Sequence, residues 1–260
     1  MLIDIGANLT HESFQEDLDQ VLDRAQLAQV QYLLITGASL SSSSDALQLA
    51  SSRDYLFSTA GIHPHHATEC SSQALQEIKS LATNPKVRAI GETGLDYFRD
   101  FSPRDIQRNA FKAQLQLASE LDLPVFLHER DAYPDFAQIL ASYRDQLNHV
   151  VVHCFTGDRT ALQAYLDLDC YIGITGWICD ERRGKHLQEL VELIPADRLL
   201  LETDAPYLLP RTLKPKPPNR RCEPAHLYEI SRVVAQLLNT STDQLASQTS
   251  RNAKKCFHLP

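Results

Sequence analysis

Short apolar runs rich in β-branched residues recur along the chain at Leu2 to Ile5, Tyr32 to Thr36, Leu56 to Ala60, Val87 to Ile90, Val125 to Leu127, Val150 to Val152, Tyr171 to Ile174 and Leu199 to Leu201. Segments of about 20 to 30 residues with helical periodicity lie between them, and strands alternating with helices at that spacing predict βαβ units and a parallel sheet. The helix signal is sharpest from Ser102 to Leu121. Ser102 suits an N-cap, Pro103 the first helical position, and Ile106, Ala110, Ala113, Leu117 and Leu121 fall on one stripe. Eight strand–helix repeats match a closed (β/α)8 TIM barrel, whereas a doubly wound open sheet usually has fewer strands. No Pro/Gly/Ser linker divides the chain, since Ser41 to Ser44 is only a short tract. The expectation is one α/β domain over residues 1–260. It carries an irregular stretch from Ala205 to Cys222 and additional helices from Pro224 to Phe257.

In such a barrel the chemistry sits where strands end, at the C-terminal face. The first run carries Asp4 and leads to Asn8; the third leads to His63 and the fourth to Glu92. His128 ends the fifth and His153 follows the sixth, while Glu202 and Asp204 follow the eighth. A lone histidine or carboxylate after a strand is more often structural. Their placement at equivalent ends of separate strands points instead to one pocket, because unpaired charges gathered at a barrel mouth are costly without a cation. Imidazole with carboxylate suits Zn, Mn, Fe or Mg. Glu92, His128, His153 and Asp204 are therefore read as metal ligands, with Glu92 able to bridge two cations. His63 is a substrate or supporting contact, His65 and His66 are loop residues, and His149 faces the opposite end. His226, near a helix start, could face the mouth.

Composition changes the picture less than placement does. The 260 residues hold 25 Lys plus Arg against 33 Asp plus Glu, a formal charge of -8, with 43% hydrophobic residues. That balance excludes a protein that coats nucleic acid by bulk electrostatics, but not an enzyme acting on phosphates. No apolar run is long enough for a membrane helix and MLIDIGANLT does not read as a signal peptide, so a cytoplasmic location is the default. The six cysteines form no CxxC pair and read as reduced. Cys154 adjoins His153, so strand alternation would turn it to the opposite face as a core neighbour. Two basic runs do stand out: Arg211, Lys214, Lys216, Arg220 and Arg221 after the eighth strand, and Arg182, Arg183 and Lys185 beside Trp177 after the seventh. Most charge runs are solvated loops. Emerging at the mouth, these instead suit a phosphodiester held by Arg and Lys with a base stacked on Trp177 or Tyr207. The expected substrate contacts are Arg130, Trp177, Arg182, Arg183, Tyr207, Arg220 and Arg221.

Four ordered stretches carry a resemblance: Gly91 to Tyr97 (GETGLDY), Pro124 to His128 (PVFLH), His153 to Gly157 (HCFTG) and Leu201 to Tyr207 (LETDAPY). Together they resemble the TatD family of metal-dependent nucleases among the amidohydrolase-like barrels, over essentially the whole chain. The opening Asp4 to Thr10 and the stretch Gly176 to Gly184 are similar to the bacterial members from which the family takes its name. The resemblance implies a magnesium-dependent exonuclease trimming single-stranded DNA or RNA from the 3′ end, with a part in repairing oxidatively damaged DNA. Two departures stand out. Gly6 and Asn8 occupy the positions where most relatives carry a His-x-His pair, which leaves Glu92, His128 and His153 to hold one cation firmly. A second cation would enter with substrate, and fewer nitrogens favour Mg or Mn over Zn. Cys222 stands where relatives often have Asn.

The mechanism expected is metal-assisted phosphodiester hydrolysis, with Asp204 as general base and His63 or Glu202 positioning the phosphate or leaving group. Two rivals stay open on sequence alone. The same barrel and ligands serve hydrolysis of a small amide or ester or deacylation of a charged tRNA, and a barrel without the histidine pair could be a non-catalytic scaffold. Neither a membrane nor an obligatory protein partner is expected, and the chain reads as a monomer.

Overall fold

A computed structural model describes residues 1–260. Eight strands, β1 (Leu2–Ala7), β2 (Val30–Ile35), β3 (Leu56–Ala60), β4 (Val87–Asp96), β5 (Val125–Arg130), β6 (Val150–Val152), β7 (Tyr171–Ile174) and β8 (Leu199–Leu201), lie in sequence order in one sheet, each parallel to its neighbours. Helices α1 (Leu18–Leu27), α2 (Leu40–Ala50), α3 (Ser72–Ala82), α4 (Arg104–Leu121), α5 (Tyr133–Tyr143), α6 (Arg159–Asp167) and α7 (Lys185–Leu190) alternate with them, and α8 (Leu227–Leu237) and α9 (Thr242–Phe257) follow. The ring closes just past β8. Ala7 bridges Ala205, the Asn8 amide donates to the Ala205 carbonyl at 2.6 Å, and the Asp204 amide donates to that of Gly6 at 2.8 Å. The chain is the expected (β/α)8 barrel.

Strand alternation sorts the apolar residues into two layers. Ile3, Ile5, Leu34, Phe57, Ala89, Phe126, Val151, Tyr171 and Leu200 fill the barrel interior, where they meet Ala253, Cys256, Phe257 and Leu259 from the end of α9. The last helix thus plugs the barrel at the end away from the mouth. Leu33, Ile35, Ile90, Val125, Leu127, Val150, Val152, Ile172 and Leu201 face outward against the helices.

β4 runs six residues beyond the apolar run that signals it. Gly91 and Gly94, at φ +143° and +147°, lie so close to β5 that a Cβ would come within 2.1 Å of the Phe126 carbonyl oxygen and 1.9 Å of that of His128. With hydrogen alone on the α-carbon, β4 stays paired to β5 as far as Asp96 opposite Arg130.

The α4 stripe differs from expectation. Pro103, not Ser102, occupies the N-cap position, and the Ser102 hydroxyl instead donates to the His65 carbonyl at 3.0 Å. The buried face holds Gln107, Ala110, Phe111, Gln114, Leu115, Leu117 and Ala118, while Ile106, Ala113 and Leu121 are half-buried. Two buried glutamines shift this face away from the purely apolar stripe. The Gln114 amide accepts from the Ile62 N–H (2.7 Å) and donates to the Ile62 carbonyl (2.9 Å) and Thr93 Oγ1 (2.7 Å). Gln107 does the same for Asp96, accepting from its N–H at 2.9 Å and donating to its carbonyl at 3.2 Å. The helix thereby satisfies backbone groups just where β3 and β4 leave the sheet.

Asp4 lies between the inward-facing Ile3 and Ile5 and so points out of the barrel, fully buried. Its carboxyl accepts from the Thr203 N–H (2.9 Å) and lies 2.5 Å from Thr203 Oγ1. Burial raises its pKa from 3.8 to about 7 despite these bonds. Between those two values the folded chain holds a proton that the unfolded chain has released, so Asp4 makes stability fall with rising pH, by about 1.4 kcal/mol per unit. Asp4→Asn removes that slope and keeps the Thr203 contacts. Denaturant unfolding at pH 4.5 and pH 8 should show the variant gaining on the wild type as pH rises; a constant difference would contradict a buried, proton-binding Asp4.

Candidate active site at the barrel mouth

Inward positions on the strands carry apolar residues at one level and polar residues at the next. Phe126 precedes His128 by two, Val151 precedes His153 and Leu200 precedes Glu202, so the three polar side chains rise from one apolar floor. Glu92, on the extension of β4, faces them. Its Oε1 lies 2.9 Å from His128 Nδ1, 2.8 Å from His153 Nε2 and 3.3 Å from His63 Nε2. Burial would raise the pKa of Glu92, but the neighbouring His153 and His63 and hydrogen bonds from His128 and His153 outweigh it and hold the carboxyl well below its ordinary range. His153 is shifted the opposite way. Burial would lower it, and the nearby Glu92 and Glu202 raise it well above the ordinary value.

Each imidazole has its second nitrogen committed. His153 Nδ1 lies 3.4 Å from Glu202 Oε2, which leaves Nε2 for the centre. His128 Nε2 lies 3.3 Å from Asp96 Oδ2, whose other neighbour is His65 Nε2 at 2.7 Å. His63 Nδ1 accepts from the His65 N–H at 3.1 Å, so its Nε2 carries the proton. Burial lowers the His63 pKa to about 4, leaving it neutral at physiological pH. Asp204 accepts a 2.9 Å hydrogen bond from Asn8 Nδ2, and burial raises its pKa to about 7.

The ligand-capable atoms of Glu92 and His128 lie within 4.8 Å of each other and of a His63 nitrogen, a spacing that suits a divalent cation on Glu92 and His128 with the His63 N–H beside it. His153 Nε2 touches the same Glu92 oxygen. The mouth therefore gathers five of the residues expected there, Glu92, His128, His153, Asp204 and His63, in a cavity of about 870 Å³ that Asn8 also lines, whereas Asp4 and Glu202 do not line it.

Glu202 is placed otherwise than expected. With no exposed surface it lies beneath His153, out of reach of a phosphate in the cavity, and serves to hold the imidazole. Its carboxylate also explains Gly6, since a Cβ there would come within 2.6 Å of Glu202 Oε2. The space that a side chain at position 6 would need is filled by a carboxylate.

Cys154, expected to face away, lines the cavity, because β6 ends at Val152 and Cys154 adopts φ 45°. Burial, with Asp204 and Glu202 nearby, raises its thiol pKa well above the ordinary value, which excludes a resting thiolate nucleophile. His65, read as a loop residue, joins the mouth through Asp96. His226 does not reach it; its Nδ1 accepts from the Glu223 N–H at 3.0 Å. Asp96, Phe98, Arg99 and Phe101 line the cavity without having been singled out. The signal for Asp96 was its position at the end of GETGLD, hidden by the glycines that break the apolar run.

The expected cationic rim divides. Arg130, Trp177, Arg183 and Tyr207 line the cavity; Arg182, Arg220 and Arg221 do not. Arg221 is turned toward α1, with its guanidinium 2.8 and 2.7 Å from the Asp17 carboxylate and 2.7 Å from Glu223, which also takes Arg24 at 2.7 Å. Arg211 is likewise bound to Glu181 at 2.8 Å.

A parallel eight-stranded barrel with imidazole and carboxylate donors at its C-terminal mouth defines a metal-dependent hydrolase type of protein. The comparisons make the assignment specific. A family model described as TatD related DNase matches residues 3–258. A protein of Erwinia tasmaniensis named 3'-5' ssDNA/RNA exonuclease TatD is 52% identical over 259 residues, 99% of this chain and 100% of that one. Its namesake from Erwinia billingiae is 53% identical over the full length of both. Among solved structures, the TatD homolog YJJV of Escherichia coli superposes with a TM-score of 0.90 at 28% identity, covering 100% of this chain and 98% of that one. A TatD family hydrolase of Entamoeba histolytica gives the same score and coverage at 27% identity. The chain belongs to the TatD family.

The division of the arginines is testable by stability alone. Arg221→Met leaves Asp17 and Glu223 short of a largely buried partner and should lower the unfolding free energy by about 2 kcal/mol. Arg183→Met, at an exposed position, should change it by less than about 0.5 kcal/mol. Equal losses in denaturant unfolding would contradict this assignment.

Proposed function

We propose that the chain is a divalent-cation-dependent exonuclease that removes nucleotides from the 3′ end of single-stranded DNA and RNA. The observation that carries this reading is the full-length likeness, at 52% identity, to a relative named for that activity. It is joined here to a mouth holding both cation donors and an aromatic, basic rim. Glu92, His128, His153 and Asp204 would hold the cation, with Mg or Mn favoured because Gly6 and Asn8 offer no imidazole. Held by these residues, a cation would provide Lewis-acid activation of the phosphoryl group and of the attacking water.

The remaining work falls to side chains. Asp204, raised to about 7, accepts the proton released as the attacking oxygen adds to phosphorus. His63, neutral and protonated on Nε2, offers a hydrogen bond to a phosphoryl oxygen or the leaving group without itself needing to lose a charge. Glu202 keeps His153 in the tautomer that leaves Nε2 free, and Asp96 orients His128. Arg130 and Arg183 hold phosphates further along the strand. A place in the repair of oxidatively damaged DNA would draw on the same 3′ trimming. No helix is long and apolar enough to cross a membrane.

The test is digestion of 5′-labelled single strands. With Mg or Mn the wild type should release mononucleotides from the 3′ end, chelation should stop it, and Asp204→Asn should lower kcat at least about a hundredfold with the fold intact by circular dichroism. Intact oligonucleotides under every cation would turn the reading toward a small amide or ester substrate. Normal digestion by Asp204→Asn would remove Asp204 as base.

A further inference from the structure

Large apolar side chains are seldom left in water, and exposed aromatics that cluster mark a binding surface. Of nine phenylalanines only Phe98 and Phe101 are exposed, at 58% and 67%, and both stand on the loop between β4 and α4 at the rim of the cavity. Phe98 is interleaved with guanidinium groups. Arg99 lies 5.6 Å and Arg130 5.1 Å from its ring centre, and Arg130 also lies 5.9 Å from the ring of Trp177, which follows β7. Arg183 covers Trp177 at 4.9 Å. Arg130 donates a 3.0 Å hydrogen bond to Thr156 Oγ1, which holds it near both rings.

We propose that Phe98 and Trp177, with Arg130 set between them, form a subsite that stacks an unpaired base upstream of the scissile phosphate. The proposal rests on the nuclease reading and deepens it by naming what selects single strands. A base presents its π-face to an aromatic ring only when it is free of a neighbouring stack and of its pairing partner, whereas a guanidinium alone would bind the phosphates of either a single or a double strand. Stacking engages a π-face that every base has, so the subsite accepts any base. Phe101 packs on His65 at 4.8 Å, and His65 in turn lies 4.2 Å from the His63 ring beside the cation donors.

Trp177 is the only tryptophan in the chain, so its fluorescence reports on the subsite directly. The probe is a single-stranded oligonucleotide titrated in the presence of chelator, where no cleavage occurs. An intact strand should quench Trp177, and an abasic residue at one upstream position should weaken binding about tenfold. Phe98→Ala should weaken binding of the intact strand by about the same factor and remove most of the abasic effect, since the two changes delete one contact. Phe98→Trp is unsuitable as a rescue because it adds a second fluorophore; Phe98→Tyr should restore binding and Phe98→Leu should not, which separates stacking from mere apolar bulk. Additive losses from Phe98→Ala and the abasic residue, or full binding by Phe98→Leu, would overturn the subsite. A wild type that binds and shows this coupling yet cuts nothing when Mg or Mn is restored would instead overturn the nuclease reading and leave the subsite standing.

Discussion

One buried carboxylate constrains the whole mouth. Glu92 is 6% exposed, and an ion taken out of water loses several kcal/mol of hydration unless other charges and hydrogen bonds replace it. Three imidazoles, delivered by β5, the end of β6 and the residue that follows β3 at a distance, close on the same oxygen of Glu92 within 3.3 Å. Satisfying that oxygen requires each ring to be held from behind. Glu202 stands behind His153, Asp96 behind His128, and the His65 amide behind His63. These supports have requirements of their own, which reach into the fold: the gap at Gly6 for Glu202, and the Gln107 amide bracketing the Asp96 backbone.

The same arrangement resolves the apparent conflict between an acidic chain and a polyanionic substrate. Carboxylates are concentrated below the mouth, where they would be balanced by imidazolium or by a cation. Arginines and aromatics stand above it. Several of the basic residues after β8 contribute nothing to the rim, because Arg211 is bound to Glu181 and Arg221 straps the loop to Asp17 on the edge of α1. On the proposed reading the attraction for a strand is local, spread over a few guanidinium groups and rings. An enzyme that must release its product after each cut is better served by such a surface than by a broad basic face.

Much of the barrel and its donor set was legible in the sequence because both follow from period-two alternation. In PVFLH, HVVVH and LLLET an apolar triad is followed by a polar residue, which keeps Phe126 and His128, Val151 and His153, and Leu200 and Glu202 in phase. The same phase groups Glu202 with His128 and His153 and does not disclose that it lies beneath His153 rather than facing the cavity. Illegible features depend on contacts distant in sequence. Gln107 and Gln114 look like solvated positions on an amphipathic helix until β3 and β4 are seen to leave unpaired backbone groups beneath them. Phe98 and Phe101 look like core residues, and nothing local says that the loop between β4 and α4 carries them into solvent. Arg221 and Asp17 lie on opposite sides of the barrel sequence, and a run of basic residues does not disclose which member has a partner.

The central claim is that Glu92 is the shared anchor of a cation centre. Binding of Mn2+ to the wild type and to Glu92→Gln, followed by electron paramagnetic resonance and with the fold of each verified by circular dichroism, tests it most directly. The glutamine keeps the volume and one carbonyl oxygen while removing the charge. Loss of an outer partner to a metal ligand typically weakens affinity about 10- to 100-fold, so loss of the anchor itself should exceed about 100-fold. A folded Glu92→Gln protein that binds Mn2+ as tightly as the wild type would contradict the account.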